Sequence, residues 1–306
     1  MSKDPRALRA ALATVIDIVV TPFDEADSLD EAAFVRLIEH AAGAGIRVFT
    51  ANGNTGEFYS LSRAERHRTV ELAVQAAPRA ITIGGIGGVD TAVADARRYA
   101  EWGAQAVMVH EPVHPFWSTA GWCDYHEAIG RALPDLAVIP YLRSPRVPPS
   151  AVERLVSSCP NVVAVKYAVA DPVAFAAMVR QVGRDRIGWI CGLAEMWAPF
   201  FAVAGAVGFT SGLVNVDPHR ALRMLSHLEK GDYDGAMREW SAVREFEAMR
   251  ARDASEMNVS VVKEALARLG LCGRAVRPPL SPLRAEDRER VARMVADWAP
   301  ATPTRP

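Results

Sequence analysis

Short runs of apolar, β-branched residues alternate with segments of helical periodicity along the first three quarters of the chain. The runs begin roughly 20–35 residues apart, which is the length of one strand followed by one helix. Ser62 and Glu65 form a capping-box pattern just before one of the helical segments. The runs predicted to be strands are 13–20, 47–51, 80–86, 104–109, 136–141, 162–169, 187–192 and 206–213.

The eight predicted strands favour a closed parallel barrel. Their residues are apolar at consecutive positions rather than at alternate ones, which indicates strands that are covered on both faces. A strand followed by a helix, repeated eight times, is typical of the (β/α)8 TIM barrel of the α/β class. An open, doubly wound sheet with additional strands is the alternative. In a TIM barrel the catalytic residues lie at the carboxyl ends of the strands, so candidate residues near these ends carry the most weight.

The pattern becomes purely helical after residue 230. We expect a catalytic barrel domain over 1–230 and a C-terminal helical extension over 231–300, not a second catalytic domain. Residues 301–306 are expected to be a disordered tail. The helices predicted in the extension are 232–250, 256–269 and 285–299.

Composition excludes several classes of protein. The chain has 306 residues, of which 50% are hydrophobic, and its net charge of −1 and pI near 6.7 leave no reason to expect a nucleic-acid partner. No apolar run reaches the roughly 18 residues that a membrane span requires. The N-terminus resembles a signal peptide in having basic residues before the apolar stretch 11–20, but Asp17 interrupts that stretch. Four scattered cysteines without a C-x-x-C pair then favour the reducing cytoplasm.

Lys166 is the most unusual residue of the predicted strands. Only four of the 35 basic residues are lysines, and this one stands inside the apolar run 162–169. Burial removes water from the ammonium group and lowers its pKa, which yields a neutral amine that can attack a carbonyl carbon. The alternative is a structural lysine that extends from a strand end to solvent or pairs with a buried carboxylate. From strand context alone the two interpretations have equal weight.

Two glycine-rich turns follow the second and third strands. The first, G-N-T-G-E at 53–57, offers backbone N–H groups that suit a carboxylate, and the second is G-G-I-G-G at 84–88. Neither matches the spacing of a phosphate-binding loop or a dinucleotide-binding turn. An ordinary strand-to-helix turn is the alternative for both.

The segment H-E-P-V-H at 110–114 matches the zinc-protease pattern H-E-x-x-H. That pattern holds zinc only on a helix, where both histidines share one face. Here it directly follows a predicted strand, and Pro112 and Pro115 oppose a helix. We interpret the segment as a strand end and an active-site loop, with no metal site.

Taken together, these motifs resemble the dihydrodipicolinate synthase / N-acetylneuraminate lyase family of class I aldolases and dehydratases, over nearly the whole chain. The matching motifs are V-T-P-F at 20–23, G-N-T-G-E at 53–57, I-P-Y at 139–141, V-A-V-K at 163–166, Gly192 and G-F-T-S-G at 208–212. Each motif is modest, but their order and spacing together are specific.

The resemblance implies a lysine-imine mechanism for a carbon–carbon or carbon–oxygen lyase. Lys166 would attack the keto carbon of a 2-oxo acid, and Tyr141 would move protons between the intermediate and the substrate oxygens. No metal or organic cofactor would be needed, and a homo-oligomer, a dimer or a tetramer, is implied. The residues implied to bind the substrate are Asn54, Thr55, Gly56, His114, Arg146, Gly192, Thr210 and Ser211.

Some residues depart from the pattern of the synthases. Asn54 stands where they usually carry a second threonine, and His114 stands where they contribute a tyrosine to a neighbouring subunit. The usual threonine–tyrosine proton relay is therefore altered. Arg146 keeps the spacing, five residues after Tyr141, of the arginine that binds the second substrate's carboxylate.

Other segments resemble the sugar-acid branch of the family. G-E-F-Y-S-L at 56–61, V-S-V-V-K at 259–263 and V-R-P-P-L at 276–280 are similar to segments of 5-dehydro-4-deoxyglucarate dehydratases, although those enzymes usually have glycine at position 54. The first hypothesis is a Schiff-base lyase for a 2-oxo acid of this type. The alternatives are dihydrodipicolinate synthase activity, which condenses pyruvate with aspartate semialdehyde, and a catalytically inactive metabolite-binding barrel. The positions expected to set specificity are Asn54, His110, His114, Leu142 and Arg143.

Overall fold

The computed structural model describes residues 5–88 and 90–298, so the predicted tail at 301–306 lies outside the described residues. The strands are β1 Val15–Ile18, β2 Val48–Ala51, β3 Ile81–Ile86, β4 Ala106–Val109, β5 Ala137–Leu142, β6 Ala164–Tyr167, β7 Gly188–Cys191 and β8 Gly208–Ser211. They form a closed parallel barrel in sequential order, in which β8 pairs with β1. The predicted TIM barrel is confirmed, and the open sheet is wrong.

One helix of the barrel begins at the capping box that the sequence predicts. The Ser62 hydroxyl accepts from the Glu65 backbone N–H and the Glu65 carboxylate accepts from the Ser62 N–H, so the predicted capping box is present. No helix in the described part of the chain is long and apolar enough to cross a membrane. The helices are α1 Pro5–Ala11, α2 Glu31–Ala44, α3 Arg63–Ala76, α4 Ala92–Trp102, α5 Thr119–Ala132, α6 Pro149–Ser158, α7 Pro172–Val182, α8 Ala194–Ala204 and α9 Pro218–Glu229.

Two apolar layers bury both faces of every strand. On β6, Val165 and Tyr167 belong to the outer layer between strands and helices, whereas Ala164 belongs to the layer that fills the barrel. Successive side chains of a strand point to opposite faces, so Lys166 points into the barrel. Tyr141 of β5 also belongs to the inner layer, and it is the register partner of Lys166. The barrel therefore places these two side chains next to each other.

The predicted C-terminal helical extension consists of α10 Tyr233–Ser255, α11 Asn258–Arg268 and α12 Ala285–Trp298. It is fixed to the barrel by contacts such as the Trp240 indole N–H, which donates to the Met196 carbonyl at 2.9 Å. The helix α10 continues past its predicted end at 250, but its backbone leaves helical angles at residues 252–254. This kink turns the chain so that α11 starts beside the end of α10.

Candidate active site

A cavity of about 230 Å³ opens at the carboxyl ends of the strands, where barrel enzymes carry their chemistry. Strands β5 and β6 contribute Tyr141 and Lys166, and the turn after β2 contributes Asn54 and Thr55. The volume is below the roughly 300–1,000 Å³ of sites for drug-sized ligands, so the cavity suits a small metabolite.

Lys166 is the nucleophile that this cavity offers. Its side chain is only 4% exposed, and its Nζ lies 4.1 Å from the centroid of the Tyr141 ring. Burial, with a smaller contribution from the positive charge of Arg143, lowers the pKa of Lys166 to about 7. Near neutral pH a large share of this lysine is therefore the free amine. None of the described carboxylates forms an ion pair with Lys166, so the structural alternative of a paired lysine is not supported.

Tyr141 is buried beside the lysine. Desolvation raises the pKa of the Tyr141 phenol to about 12, although Arg143 and a contact with the Asn54 side chain act in the opposite direction. The phenol is therefore protonated at neutral pH and can donate a proton. Tyr141 lines the cavity together with Lys166 and Asn54, so that proton is available to a ligand bound there.

The turn at 53–57 has a backbone that depends on glycine. A Cβ at Gly53 would lie 2.4 Å from the Ile18 side chain, and one at Gly56 would lie 2.8 Å from the Val19 carbonyl oxygen. The Thr21 hydroxyl donates to the Gly56 carbonyl at 2.7 Å, so the V-T-P-F segment holds this turn. Gly56 itself does not line the cavity.

Asn54 and Thr55 present the polar groups of this turn to the cavity. The Asn54 Oδ1 atom is buried and has no hydrogen-bond partner among the described residues. Such an atom is costly to leave unpaired, which points to a polar ligand in the cavity.

Three later strand-end residues have different positions. Gly192 lines the cavity, and a Cβ there would lie 3.1 Å from Lys166 Cγ, so the glycine leaves room for the lysine. Thr210 also lines the cavity. Ser211 lies behind it, where its hydroxyl donates to the buried Glu195 carboxylate at 2.6 Å.

The structure does not bring His114 and Arg146 into the cavity. Both are exposed on loops, and the Arg146 guanidinium stacks over Trp117 at 4.1 Å and donates to the carbonyl of that residue. Arg143 lines the cavity instead. Spacing along the chain could not distinguish these two arginines, because the chain turns sharply after β5.

The H-E-P-V-H segment is a coil, as expected, and its histidines do not converge. His110 is buried and its Nε2–H donates to the Asn52 carbonyl at 2.9 Å, whereas His114 is exposed. Burial lowers the pKa of His110 to about 3, so its ring is neutral. Within residues 5–88 and 90–298, no group of three or more His, Cys, Asp or Glu side chains is arranged to hold a metal ion.

The C-terminal extension supplies cavity-lining residues that the sequence did not reveal. Glu247, Arg250, Ser255 and Asn258 line the cavity from the kinked end of α10 and the start of α11. The sequence contains only a weak indication of this, since Glu247 and Arg250 directly follow the apolar residues Phe246 and Met249, which are buried on α10. Only the packing of α10 over the barrel reveals their role.

The extension also fixes the turn at 53–57 from behind. The Lys263 ammonium lies 2.5 Å from the Glu57 carboxylate, and neither side chain is exposed. The Arg277 backbone N–H donates to the same carboxylate at 3.0 Å. The two C-terminal motifs of the sequence therefore meet at the glutamate of the glycine-rich turn.

Comparisons with known proteins agree with this geometry. The model of the dihydrodipicolinate synthetase family matches residues 11–297. The chain is 31% identical to a 4-hydroxy-tetrahydrodipicolinate synthase of Thermus thermophilus over 90% of this chain and 92% of that protein. It is 28% identical to a probable 5-dehydro-4-deoxyglucarate dehydratase of Rhizobium rhizogenes over 95% and 98%.

A solved structure is also similar over nearly its full length. Dihydrodipicolinate synthase from Bacillus clausii superposes with a TM-score of 0.92 and is 37% identical, covering 95% of this chain and 99% of that chain. The family match over residues 11–297 includes all eight strands of the barrel and every residue that lines the cavity. The chain therefore belongs to the dihydrodipicolinate synthetase family of enzymes.

Proposed function

We propose that this protein is a class I lyase that forms an imine between Lys166 and the keto carbon of a 2-oxo acid. The observation that carries the proposal is the buried Lys166 amine, with a pKa near 7, beside the protonated Tyr141 phenol. No metal or organic cofactor takes part in this chemistry.

The reaction begins when the neutral amine attacks the keto carbon. The carbinolamine that forms loses water to give an imine, and the protonated imine then stabilises the electron pair left when a proton leaves the adjacent carbon. Expulsion of a hydroxyl group from the next carbon, with a proton to form water, completes a dehydration. Tyr141 supplies and accepts protons, while Thr55 and the Asn54 amide hold the substrate carboxylate.

Two observations favour a sugar-acid lyase, of the 5-dehydro-4-deoxyglucarate dehydratase type, over a dihydrodipicolinate synthase. Asn54 contacts Tyr141 where the synthases use threonine, so the usual proton relay is replaced. Arg146 stacks on Trp117 outside the cavity, so it is not positioned to hold the carboxylate of a second substrate there. A barrel that only binds a metabolite does not require a neutral lysine, so we do not favour the catalytically inactive alternative.

Borohydride reduction followed by mass spectrometry tests the proposal. Incubation with pyruvate or 5-dehydro-4-deoxyglucarate should give an adduct on the peptide that contains Lys166, and Lys166→Ala should give none. Lys230→Ala, which removes an exposed lysine, is the matched control and should keep the adduct. Absence of an adduct with every 2-oxo acid tried would refute the imine mechanism. Rescue of a diaminopimelate auxotroph would instead support the synthase activity.

We also infer that the enzyme is a cytoplasmic homo-oligomer. Val113 and Phe116, on the loop after β4, are 78% and 87% exposed, which is unusual for two large apolar side chains so close together. All four cysteines are free, which is compatible with a reducing compartment.

A further inference from the structure

One wall of the catalytic cavity has no part in the imine chemistry. It is formed by the kinked end of α10 and the start of α11, which contribute Glu247, Arg250, Ser255 and Asn258. Glu247 and Arg250 are each only 4% exposed. Burying charged side chains costs free energy unless they are paired. The burial of this pair at the edge of a cavity therefore indicates that the two side chains have a role there.

The position of Arg250 depends on the end of β8. A Cβ at Gly212 would lie 2.4 Å from Arg250 Nη2, so only glycine leaves room for the guanidinium there. Nη1 donates to Glu247 at 2.6 Å, and Nη2 donates to the Asn258 Oδ1 atom at 2.9 Å. The buried Nε–H has no partner among the described residues. A guanidinium has five N–H donors, so this arrangement leaves donors unused beside the cavity.

The backbone that carries this wall is strained. Asp253, Ala254 and Ser255 have φ values of 50°, 57° and 69°, although none of them is glycine. Such conformations are unfavourable for residues with a Cβ and persist where the surrounding structure requires them. Here the result is that Ser255 and Asn258 both line the cavity.

The chemistry of the wall suits hydroxyl groups better than a carboxylate. The Arg250 charge is already matched by the Glu247 carboxylate, so the pair offers no net positive charge to a ligand. A ligand carboxylate would add a further negative charge. A hydroxyl group both donates and accepts, and the wall offers acceptors in Glu247 and Ser255 and donors in Arg250 and Asn258.

We propose that Glu247, Arg250, Ser255 and Asn258 form a subsite for the hydroxyl groups of the substrate's carbon chain, beyond the carbons that react at Lys166. The inference rests on the proposed function, and it specifies the substrate class as hydroxylated 2-oxo acids. Pyruvate is too short to carry such groups, so the subsite distinguishes sugar acids from pyruvate.

The test compares 5-dehydro-4-deoxyglucarate with 2-oxoadipate, which has the same six-carbon diacid chain without the two hydroxyl groups. Calorimetry measures the dissociation constant of each acid for Lys166→Ala, which should not turn the substrate over, and for Asn258→Ala and Ser255→Gly made in that background. Ser255→Gly removes the hydroxyl while easing the positive φ, so it tests the subsite even if Asn258→Ala folds poorly. Arg244→Ala, on the exposed side of α10, is the control and should leave both constants unchanged.

We expect each subsite variant to weaken binding of the hydroxylated acid about tenfold relative to 2-oxoadipate, as loss of one well-placed hydrogen bond predicts. Equal weakening of both acids, or no weakening of either, would overturn the subsite. Failure of Lys166→Ala to bind either acid would overturn it as well. Binding by Lys166→Ala, with no borohydride adduct on the wild type, would contradict the imine mechanism alone, because the two dissociation constants would still decide the subsite.

Discussion

At the scale of single residues, the chemistry depends on how burial and neighbouring charge change Lys166. Its strand neighbours are apolar, its ammonium faces the Tyr141 ring, and Arg143 adds a positive charge nearby. Burial among apolar neighbours and the charge of Arg143 disfavour the ammonium form, and together they outweigh the attraction of the ring face for a cation. The result is an amine that can react at the pH of the cell.

Imine formation should therefore follow the titration of Lys166. The neutral amine is the reactive form, so the rate of adduct formation should rise with pH through about 7 and then level off. A pH profile of single-turnover trapping with pyruvate measures this. Arg143→Gln should move the rise to higher pH, because it removes a positive charge that lowers the lysine pKa. An inflection near 10.5, the ordinary value of lysine, in the wild type would contradict the assignment.

Tyr141→Phe should lower kcat about 10²–10⁴-fold, because the phenol is the proton donor while its ring only fills space. Because the ring is retained, this variant should keep its fold and still form the imine adduct with pyruvate. Both can be measured to check that its structure is intact. Tyr233→Phe, at an exposed tyrosine on α10, is the matched control and should have full activity. Equal kcat values for the two variants would remove Tyr141 from the mechanism.

Gly192→Ala should lower kcat/KM about 100-fold. The added Cβ would lie 2.9 Å from the Tyr167 carbonyl oxygen and 3.1 Å from Lys166 Cγ, so the lysine must shift from its position. Gly43→Ala in α2 is the control, since no heavy atom lies within 4 Å of its added Cβ. That change should stabilise the helix by about 0.5–1 kcal/mol and leave activity intact. Normal activity of Gly192→Ala would show that the lysine tolerates the crowding.

At the scale of elements, the C-terminal extension is part of the active site. Helix α11 fixes the glycine-rich turn through Lys263, and the end of α10 closes one wall of the cavity. The ion pair of Lys263 with Glu57 is fully buried, so each charge depends on the other. Removing one partner leaves an uncompensated charge behind the turn that we propose binds the substrate carboxylate.

Lys263→Met should lower the free energy of unfolding by about 3 kcal/mol, the lower end for breaking a buried pair, because Glu57 keeps its bond from the Arg277 backbone. Urea unfolding measures the change. The double variant Lys263→Met, Glu57→Gln should recover part of it, since no unpaired charge remains. Lys230→Met, at an exposed lysine, is the control. A loss below about 1 kcal/mol would mean that the buried pair is not required.

At the scale of the whole molecule, barrel closure decides which residues meet. Eight short strands bring their carboxyl ends to one rim, so residues of β1, β5, β6 and β8 and of the turns after β2 and β7 line one cavity. The same closure leaves the loop after β4 projecting outward with Val113 and Phe116 exposed. Closure of the barrel therefore determines both which residues line the cavity and which loop residues are exposed.

Substitution of that loop tests the inferred assembly. Val113→Ser together with Phe116→Ser should shift the protein to a smaller species in size-exclusion chromatography with light scattering, because apolar contacts between subunits are lost. Leu269→Ser, at another partly exposed apolar residue, is the control and should leave the assembly unchanged. A wild-type chain that elutes as a monomer would refute the inferred oligomer.

The sequence by itself determined the fold class, and it singled out Lys166 and Tyr141 as the residues proposed to react. Strand periodicity, the run of apolar residues around Lys166 and the motif containing Tyr141 are local, so they can be read along the chain. The helices of the extension were also predicted, and the predicted end of the first one at 250 lies two residues before the kink at 252–254.

Only the tertiary structure decided which side chains share the cavity. Spacing suggested Arg146 and the family motif suggested His114, yet the loops carry both to the surface and Arg143 to the cavity. Arg250 reaches Gly212 because α10 packs over the end of β8. Contacts of this kind join residues that are distant along the chain, and they depend on packing and backbone turns that no local pattern encodes.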